Sequence, residues 1–354
     1  MVLSLHNICS MNGFQPNQKL QNVDIPSQME LPRQILQNNT AVTEFVLLGL
    51  SSNPETQLIL FGLFLLIYLV ALSGNVLLLL TISLDRKLHS PMYFFLGNLS
   101  VVDIGYTTST VPKMLMNYLS QDKTISLSAC FSQMYFFISF AGTECLLLGV
   151  MAYDRYAAIC HPLHYSVLMS PKVCVSLAAT AWFLGLANSG VHAALMSLLS
   201  FCQDNVIHHF FCDVPPLLQL SCSSTQVNRI VVLMVGGSVI IGSFLCTLVS
   251  YVYIVTSILR IHTKDGRLKA FSTCVSHLVV VNIFYGTAII TYLIPSNTSQ
   301  KKDQVLSVFY GIIAPMLNPI IYSLRNRDVQ NALRKKWVGC NRRNCFSGLK
   351  NSTL

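Results

Sequence analysis

The sequence predicts an all-α membrane protein: a seven-transmembrane helix bundle followed by a short cytoplasmic amphipathic helix. Three observations carry that prediction. Of 354 residues, 53% are hydrophobic and only 10% charged, against roughly 25% charged in an ordinary soluble domain. The charges leave long gaps between them, and the basic residues fall mostly on one side of those gaps. A buried soluble core explains one long apolar run, but not seven in series.

No Asp, Glu, Lys or Arg occurs between Glu55 and Asp85, Lys172 and Asp204, Arg229 and Arg260, Lys269 and Lys301, or Asp303 and Arg325. Each gap holds the roughly 20 residues that cross the hydrocarbon core as a helix. Two further apolar stretches are each interrupted by one acid: 91–117 by Asp103, and 127–157 by Glu144 ahead of the Asp154–Arg155 pair. The expected organisation is an extracellular segment over 1–56, the bundle over 57–324 and a cytoplasmic tail over 325–354.

Topology follows from the bases. The segments after spans one, three, five and seven hold sixteen of the twenty-three Lys and Arg residues, among them Arg86, Lys87, Arg155, Lys172, Arg260 and Lys264. Positive charge marks the cytoplasmic face, so the amino terminus is expected outside and the carboxyl terminus inside. The net charge of +9 reflects this bias and calls for no nucleic-acid partner. The basic stretch 325–343 is read as an amphipathic helix on the anionic inner leaflet. The first 55 residues lack a signal-peptide pattern, so the first span is expected to act as its own insertion signal. Asn38-Asn39-Thr40 is the glycosylation acceptor on the outer side, with Asn297 a second candidate.

Eleven of the twelve cysteines divide by compartment. Cys130, Cys202, Cys212 and Cys222 fall outside, where oxidising conditions suggest two disulfides, although four cysteines alone allow three connectivities. Cys145, Cys160, Cys174, Cys246 and Cys274 lie in or near the membrane and read as small packing residues. Cys340 and Cys345 follow the basic tail helix, within reach of reversible acylation. His208, His209 and Cys212 could hold a transition metal by residue type, but a disulfide at Cys212 would remove the thiolate; no transition-metal site is expected.

Several strings are more specific. They are Gly74-Asn75, "PMYFFLGNLSVVD" at 91–103, "MAYDRYAAICHPLHY" at 151–165, "KAFSTCVSHL" at 269–278 and "PMLNPIIYSLRN" at 315–326. In this order and topology the chain resembles the rhodopsin-like G-protein-coupled receptors, and within them the olfactory receptors of the tetrapod-type branch. The resemblance runs from about Met29 to Asn331, so residues 1–28 look like an extension and Met29 like an alternative start. It implies a plasma-membrane receptor that binds small hydrophobic odorants and activates a stimulatory, olfactory-type heterotrimeric G protein, raising cyclic AMP. Arg229 departs from the family pattern, where many relatives carry an acid. The alternatives are another rhodopsin-like receptor for a small ligand outside the nose, or an ion-coupled transporter. A transporter would show internal repeats or broken helices, and neither is visible. No nucleophile or metal constellation supports an enzyme.

Phe137, Ala141, Glu144, Leu148, Met151 and Arg155 share one stripe of the third span. Glu144 lies roughly 16 Å above Arg155 at 1.5 Å per residue, near mid-membrane, and Asp103 lies at about that depth. Intramembrane acids are functional candidates by default. The resemblance implies that Asp103 and Glu144 share a sodium ion or a proton with Asn75 and Asn318. The alternative is a pair of protonated acids bonded to neighbouring helices. No organic cofactor is expected; sodium is the candidate allosteric ligand.

The resemblance also makes Asp154, Arg155 and Tyr156 a switch, with Tyr251 and Tyr322 as partners of Arg155 in the active state and Pro319 loosening the seventh span. As a bare surface ion pair, Asp154–Arg155 would contribute only about 0–1 kcal/mol. The implied ligand pocket takes Phe137, Ile138, Ala141 and Gly142 from the third span. Val235, Gly236 and Val239 come from the fifth, Tyr285, Ala288 and Tyr292 from the sixth, and Val308 from the seventh. The Tyr292 hydroxyl is expected to face the ligand. The family pairing of the outer cysteines is Cys130–Cys212 and Cys202–Cys222.

Overall fold

Proline opens three of the long helices: Pro54, Pro91 and Pro171 stand in the first turn, where a missing N–H costs nothing. The computed structural model describes residues 42–202, 205–260, 262–293, 300–325 and 329–334. Among them the bundle consists of α1 (Pro54–Leu84), α2 (Pro91–Leu119), α3 (Leu127–Cys160), α4 (Pro171–Ser197), α5 (Gln226–Leu259), α6 (Lys264–Tyr292) and α7. Helix α7 runs through Gln300–Val308, a π-helical turn at Phe309–Ile313, and Ala314–Arg325. Asn53 Oδ1 caps α1 by accepting the Glu55 N–H at 2.9 Å, and Ser126 Oγ accepts the Ala129 N–H at 3.3 Å in α3.

Helices α1, α3, α4, α5 and the Asp303–Tyr322 part of α7 are long and apolar enough to cross a membrane. The apolar part of α6 is shorter, His277–Tyr292. Helix α2 is long enough but more polar, because Ser100, Asp103, Thr107 and Thr110 point into the bundle. Its Lys113 reaches out instead: Nζ donates to the Thr124 carbonyl at 2.6 Å, above the outer end of the helix.

Helix α3 is the centre of the bundle, with buried side chains from Cys130 to Ala157. Helix α4 approaches it closely at Gly185, where an added Cβ would collide with Thr143 Oγ1 and stand 2.8 Å from the Ser139 carbonyl. Large apolar side chains such as Leu66, Phe183 and Met234 face outward, the surface expected of helices bathed in lipid.

A small sheet, absent from the sequence reading, covers the outer end. Strand β1 (Glu44–Leu47) pairs antiparallel with β2 (Thr124–Ser126) and parallel with β3 (Val206–Ile207). Phe45 and Leu47 alternate inward on β1 and pack beside the Cys130–Cys212 bond. That disulfide (Cα–Cα 5.5 Å) and Cys202–Cys222 (6.0 Å) are both formed, which selects one of the three connectivities. The segment 329–334, after α7, is helical and buries Val329 and Ala332 against the bundle. The rest of the expected tail helix, Cys340, Cys345, Asn38 and Asn297 lie outside the described residues.

Candidate functional site

An apolar cavity of about 70 Å³ lies inside the bundle, below the disulfide-anchored loop. Helix α3 contributes Ile138, Ala141 and Gly142, and α6 contributes Ala288 and Tyr292. On α5 the wall is Val232, Gly236, Val239 and Ile240. Val232 and Gly236 bracket a π-helical turn, a widening of the backbone that recurs at functional sites.

Four expected lining residues stand elsewhere. Phe137 belongs to the aromatic layer roofing the cavity, with ring centroids 4.7 Å from Tyr106 and 4.5 Å from Phe211. Tyr285 lies beneath it, its hydroxyl donating to the Cys145 carbonyl at 2.7 Å, so Cys145 forms the floor. Val235 is displaced because the π turn directs Val232 and Gly236 inward. Val308 packs into the outer aromatic cluster of α7. The sequence reading missed two whole walls, Tyr106 on α2 and Asn188 with His192 on α4. The signal was present: Asn188 and His192 are polar, four residues apart, in a run without charge.

The Tyr292 ring faces the cavity, but its hydroxyl is engaged elsewhere. It donates to Asp213 Oδ2 at 2.6 Å, so it ties α6 to the outer loop. The Tyr310 hydroxyl reaches the same oxygen at 3.4 Å, and Ser307 connects Tyr310 (2.9 Å) to His209 Nε2 (3.1 Å). Burial raises the Asp213 carboxyl to about 6, although the Tyr292, Val214 and Tyr310 donors pull it down. Burial lowers His209 to about 3, so its imidazole is neutral at physiological pH. With Cys212 in a disulfide and His209 on Ser307, the histidine run serves to dock the loop. Above this layer a second cavity of about 390 Å³ carries Arg229 in its wall.

Near mid-membrane, Asp103 and Glu144 are fully buried and share one donor. Asn318 Nδ2 donates to Asp103 Oδ1 at 3.0 Å, Asp103 Oδ2 at 3.1 Å and Glu144 Oε1 at 3.3 Å. Asn75 turns its amide away, to the carbonyls of Ala71 (3.0 Å) and Pro315 (3.2 Å). Three buried oxygens, Glu144 Oε2, Asn75 Oδ1 and Asn318 Oδ1, accept nothing from any described residue.

At the end of the bundle opposite the sheet, Asp154 and Arg155 are buried, and Asp154 Oδ1 accepts the Tyr165 hydroxyl at 2.8 Å. Tyr165 lies in the short helix Tyr165–Leu168 that follows α3. Tyr156 hydrogen-bonds to His161 at 2.9 Å. His277 Nε2 lies 3.1 Å from the Leu148 carbonyl, which can only accept, so Nδ1 accepts from the Tyr251 hydroxyl at 2.9 Å. Tyr322 is buried with its hydroxyl unbonded to any described residue, and Pro319 packs against Gly74 of α1. Of the residues expected to switch, Tyr251 is thus joined through His277 to α3, while Asp154 and Tyr156 bond to the segment that follows α3.

Comparison with known proteins identifies the family. The family model for olfactory receptors matches residues 64–339. Human olfactory receptor 5F1 is 54% identical over 297 residues, which cover 84% of this chain and 95% of that protein. Mouse olfactory receptor 5AP2 is 52% identical over 299 residues, covering 84% and 94%. Human olfactory receptor 1N1 is 51% identical over 301 residues, covering 85% and 97%. With a family model spanning most of the bundle and relatives at half identity over nearly their full length, this multi-pass membrane protein belongs to the olfactory receptor family.

Proposed function

We propose that this chain is an odorant receptor whose ligand occupies the inner cavity between α3, α4, α5 and α6. Binding shifts the helix equilibrium that releases Arg155 toward a stimulatory, olfactory-type G protein, and cyclic AMP rises. The observation that carries this reading is the mainly apolar cavity directly above Tyr285 and Cys145. An apolar lining with a few polar groups is the chemistry of a site for a small hydrophobic molecule. Charge-poor helices and the bias of Lys and Arg support a plasma-membrane receptor with its amino terminus outside. The test is ligand-evoked cyclic AMP in cells with and without the G protein. Ala141→Leu should fill the cavity and remove the response at unchanged surface level. A variant that responds normally, or signalling that persists without the G protein, would count against the proposal.

The mid-membrane acids suit a sodium ion that favours the resting state. The three unbonded oxygens, with Asp103, supply hard ligands of the kind such a cation takes. Raising external sodium should weaken the agonist response, and Asp103→Asn should abolish that dependence. A well-expressed variant with unchanged sodium sensitivity would rule the site out.

A further inference from the structure

The wall contributed by α4 is polar, and its polar groups have nothing to bond. Asn188 is 7% exposed and His192 6% exposed, one helical turn apart, and both line the inner cavity. Asn188 Oδ1 has no hydrogen-bond partner, and neither side chain bonds to any described residue. This distinguishes them from the two α6–α7 tyrosines of the same cavity, whose hydroxyls are engaged by Asp213 and Ser307. A buried amide left unbonded costs about 1–3 kcal/mol, so the pair is destabilising unless something completes it.

Two glycines stand beside the pair. A Cβ at Gly236 would meet only one atom within 4 Å, His192 Nε2 at 3.5 Å. A Cβ at Gly142 would meet the Gly185 Cα of α4 at 3.4 Å and stand 3.8 Å from Asn188 Nδ2. Space therefore opens in front of His192 at the π turn of α5, while Gly142 lets α3 approach α4 beside Asn188.

Resting on the ligand site proposed above, we infer that Asn188 and His192 are the polar anchor of that site. The preferred ligands are small, largely apolar molecules carrying one hydroxyl, as in alcohols and phenols. The choice of head group follows from donor and acceptor chemistry. The amide oxygen is an unfilled acceptor beside the two N–H donors of Nδ2, and one hydroxyl can donate to the oxygen and accept from an N–H, whichever way the amide is turned. An ether or ketone oxygen only accepts, and leaves the amide oxygen unfilled. No Lys or Arg lines the inner cavity among the described residues, so an ionised carboxylate would enter without a counter-charge. Tyr106 adds one more lining hydroxyl from α2, and it serves as the control.

The experiment measures cyclic AMP in cells expressing the receptor and the G protein. The probes are volatile alcohols, each paired with its methyl ether and its parent hydrocarbon. The wild-type receptor should prefer the alcohol by about tenfold, the worth of one good hydrogen bond. Asn188→Leu, nearly isosteric, should bring the three probes within about threefold while the hydrocarbon response persists and reports a folded receptor. Gly236→Ala leaves both polar residues in place and should weaken the alcohol more than the hydrocarbon. An alcohol preference that survives Asn188→Leu, or that Tyr106→Phe removes instead, would overturn the inference and leave the ligand site standing. A surface-expressed receptor that answers none of the three probe classes, in a panel that Ala141→Leu also leaves silent, would overturn the ligand reading itself.

Discussion

Two buried polar clusters lie at different depths of the same bundle, and they are satisfied to different degrees. In the outer one, the Asp213 carboxylate accepts from Tyr292, Tyr310 and the Val214 N–H, while Ser307 joins Tyr310 to His209. None of these side chains is left unbonded. In the mid-membrane one, a single Asn318 amide serves two carboxyl groups, and three oxygens have no donor. A fully satisfied network fixes geometry, whereas an under-satisfied one in a low dielectric is costly as it stands. The outer cluster therefore reads as a clamp holding the loop over the cavity, and the inner one as a place for a cation or a shared proton.

The largest effect should come from removing Asn318, the one side-chain donor to both inner acids among the described residues. Asn318→Leu removes the donor that two buried acids share, and each buried polar group left unsatisfied costs about 1–3 kcal/mol, more where it is charged. The expected outcome is a large drop in the melting temperature of detergent-purified receptor and in surface level. A change no bigger than that of a lipid-facing substitution would mean that the acids satisfy each other through a proton.

The outer cluster should yield less. Tyr292→Phe removes one hydroxyl donor to a carboxylate, worth about 1.5–3 kcal/mol, and keeps the ring in the cavity wall. Its effect should be local: faster hydrogen exchange at the backbone amides of 207–214, with the exchange of α3 unchanged. If exchange in α3 rises equally, the loop and the bundle are one cooperative unit, and the contrast between clamp and site fails.

Much of this was legible before any coordinates. Charge-free runs disclose helices in lipid directly, because an uncompensated charge there is expensive, and the same cost makes Asp103 and Glu144 conspicuous. The cavity was half legible. Ala141, Gly142 and Ala288 are small residues at helical spacing, but Phe137 and Val308 pack into an aromatic roof built partly from the loop residues Phe210 and Phe211. A loop folded back into the bundle leaves no periodic trace in sequence. Val235 was lost to a π turn, which shifts the register by one residue where no proline announces it. Asn75 donates its amide to the α7 backbone and keeps its Oδ1 unbonded to any described residue, a matter of side-chain torsion that sequence does not encode.

The smallest effect, and the sharpest on the clamp, concerns pH. Two titratable groups of the outer cluster move in opposite directions. Asp213 is raised by burial from 3.8 to about 6, so the folded receptor binds that proton more tightly than the unfolded chain does. Its contribution to stability therefore increases as pH falls through about 6 toward 3.8. His209 is lowered by burial from 6.5 to about 3, so folding requires the neutral ring. Its contribution is present above 6.5 and is lost as pH falls below that value. Between about pH 7 and about 5.5 the two partly cancel, with the histidine ahead, and the wild-type melting temperature should fall only slightly. Asp213→Asn removes the compensating group and keeps an acceptor for Tyr292. Over the same interval its acid-induced loss should be steeper by about 1 kcal/mol. His209→Gln should reverse the slope, because only the Asp213 contribution then remains. Parallel pH profiles for all three receptors would show that the loop opens enough for both groups to titrate in water, and the outer cluster would then be no more a clamp than the inner one.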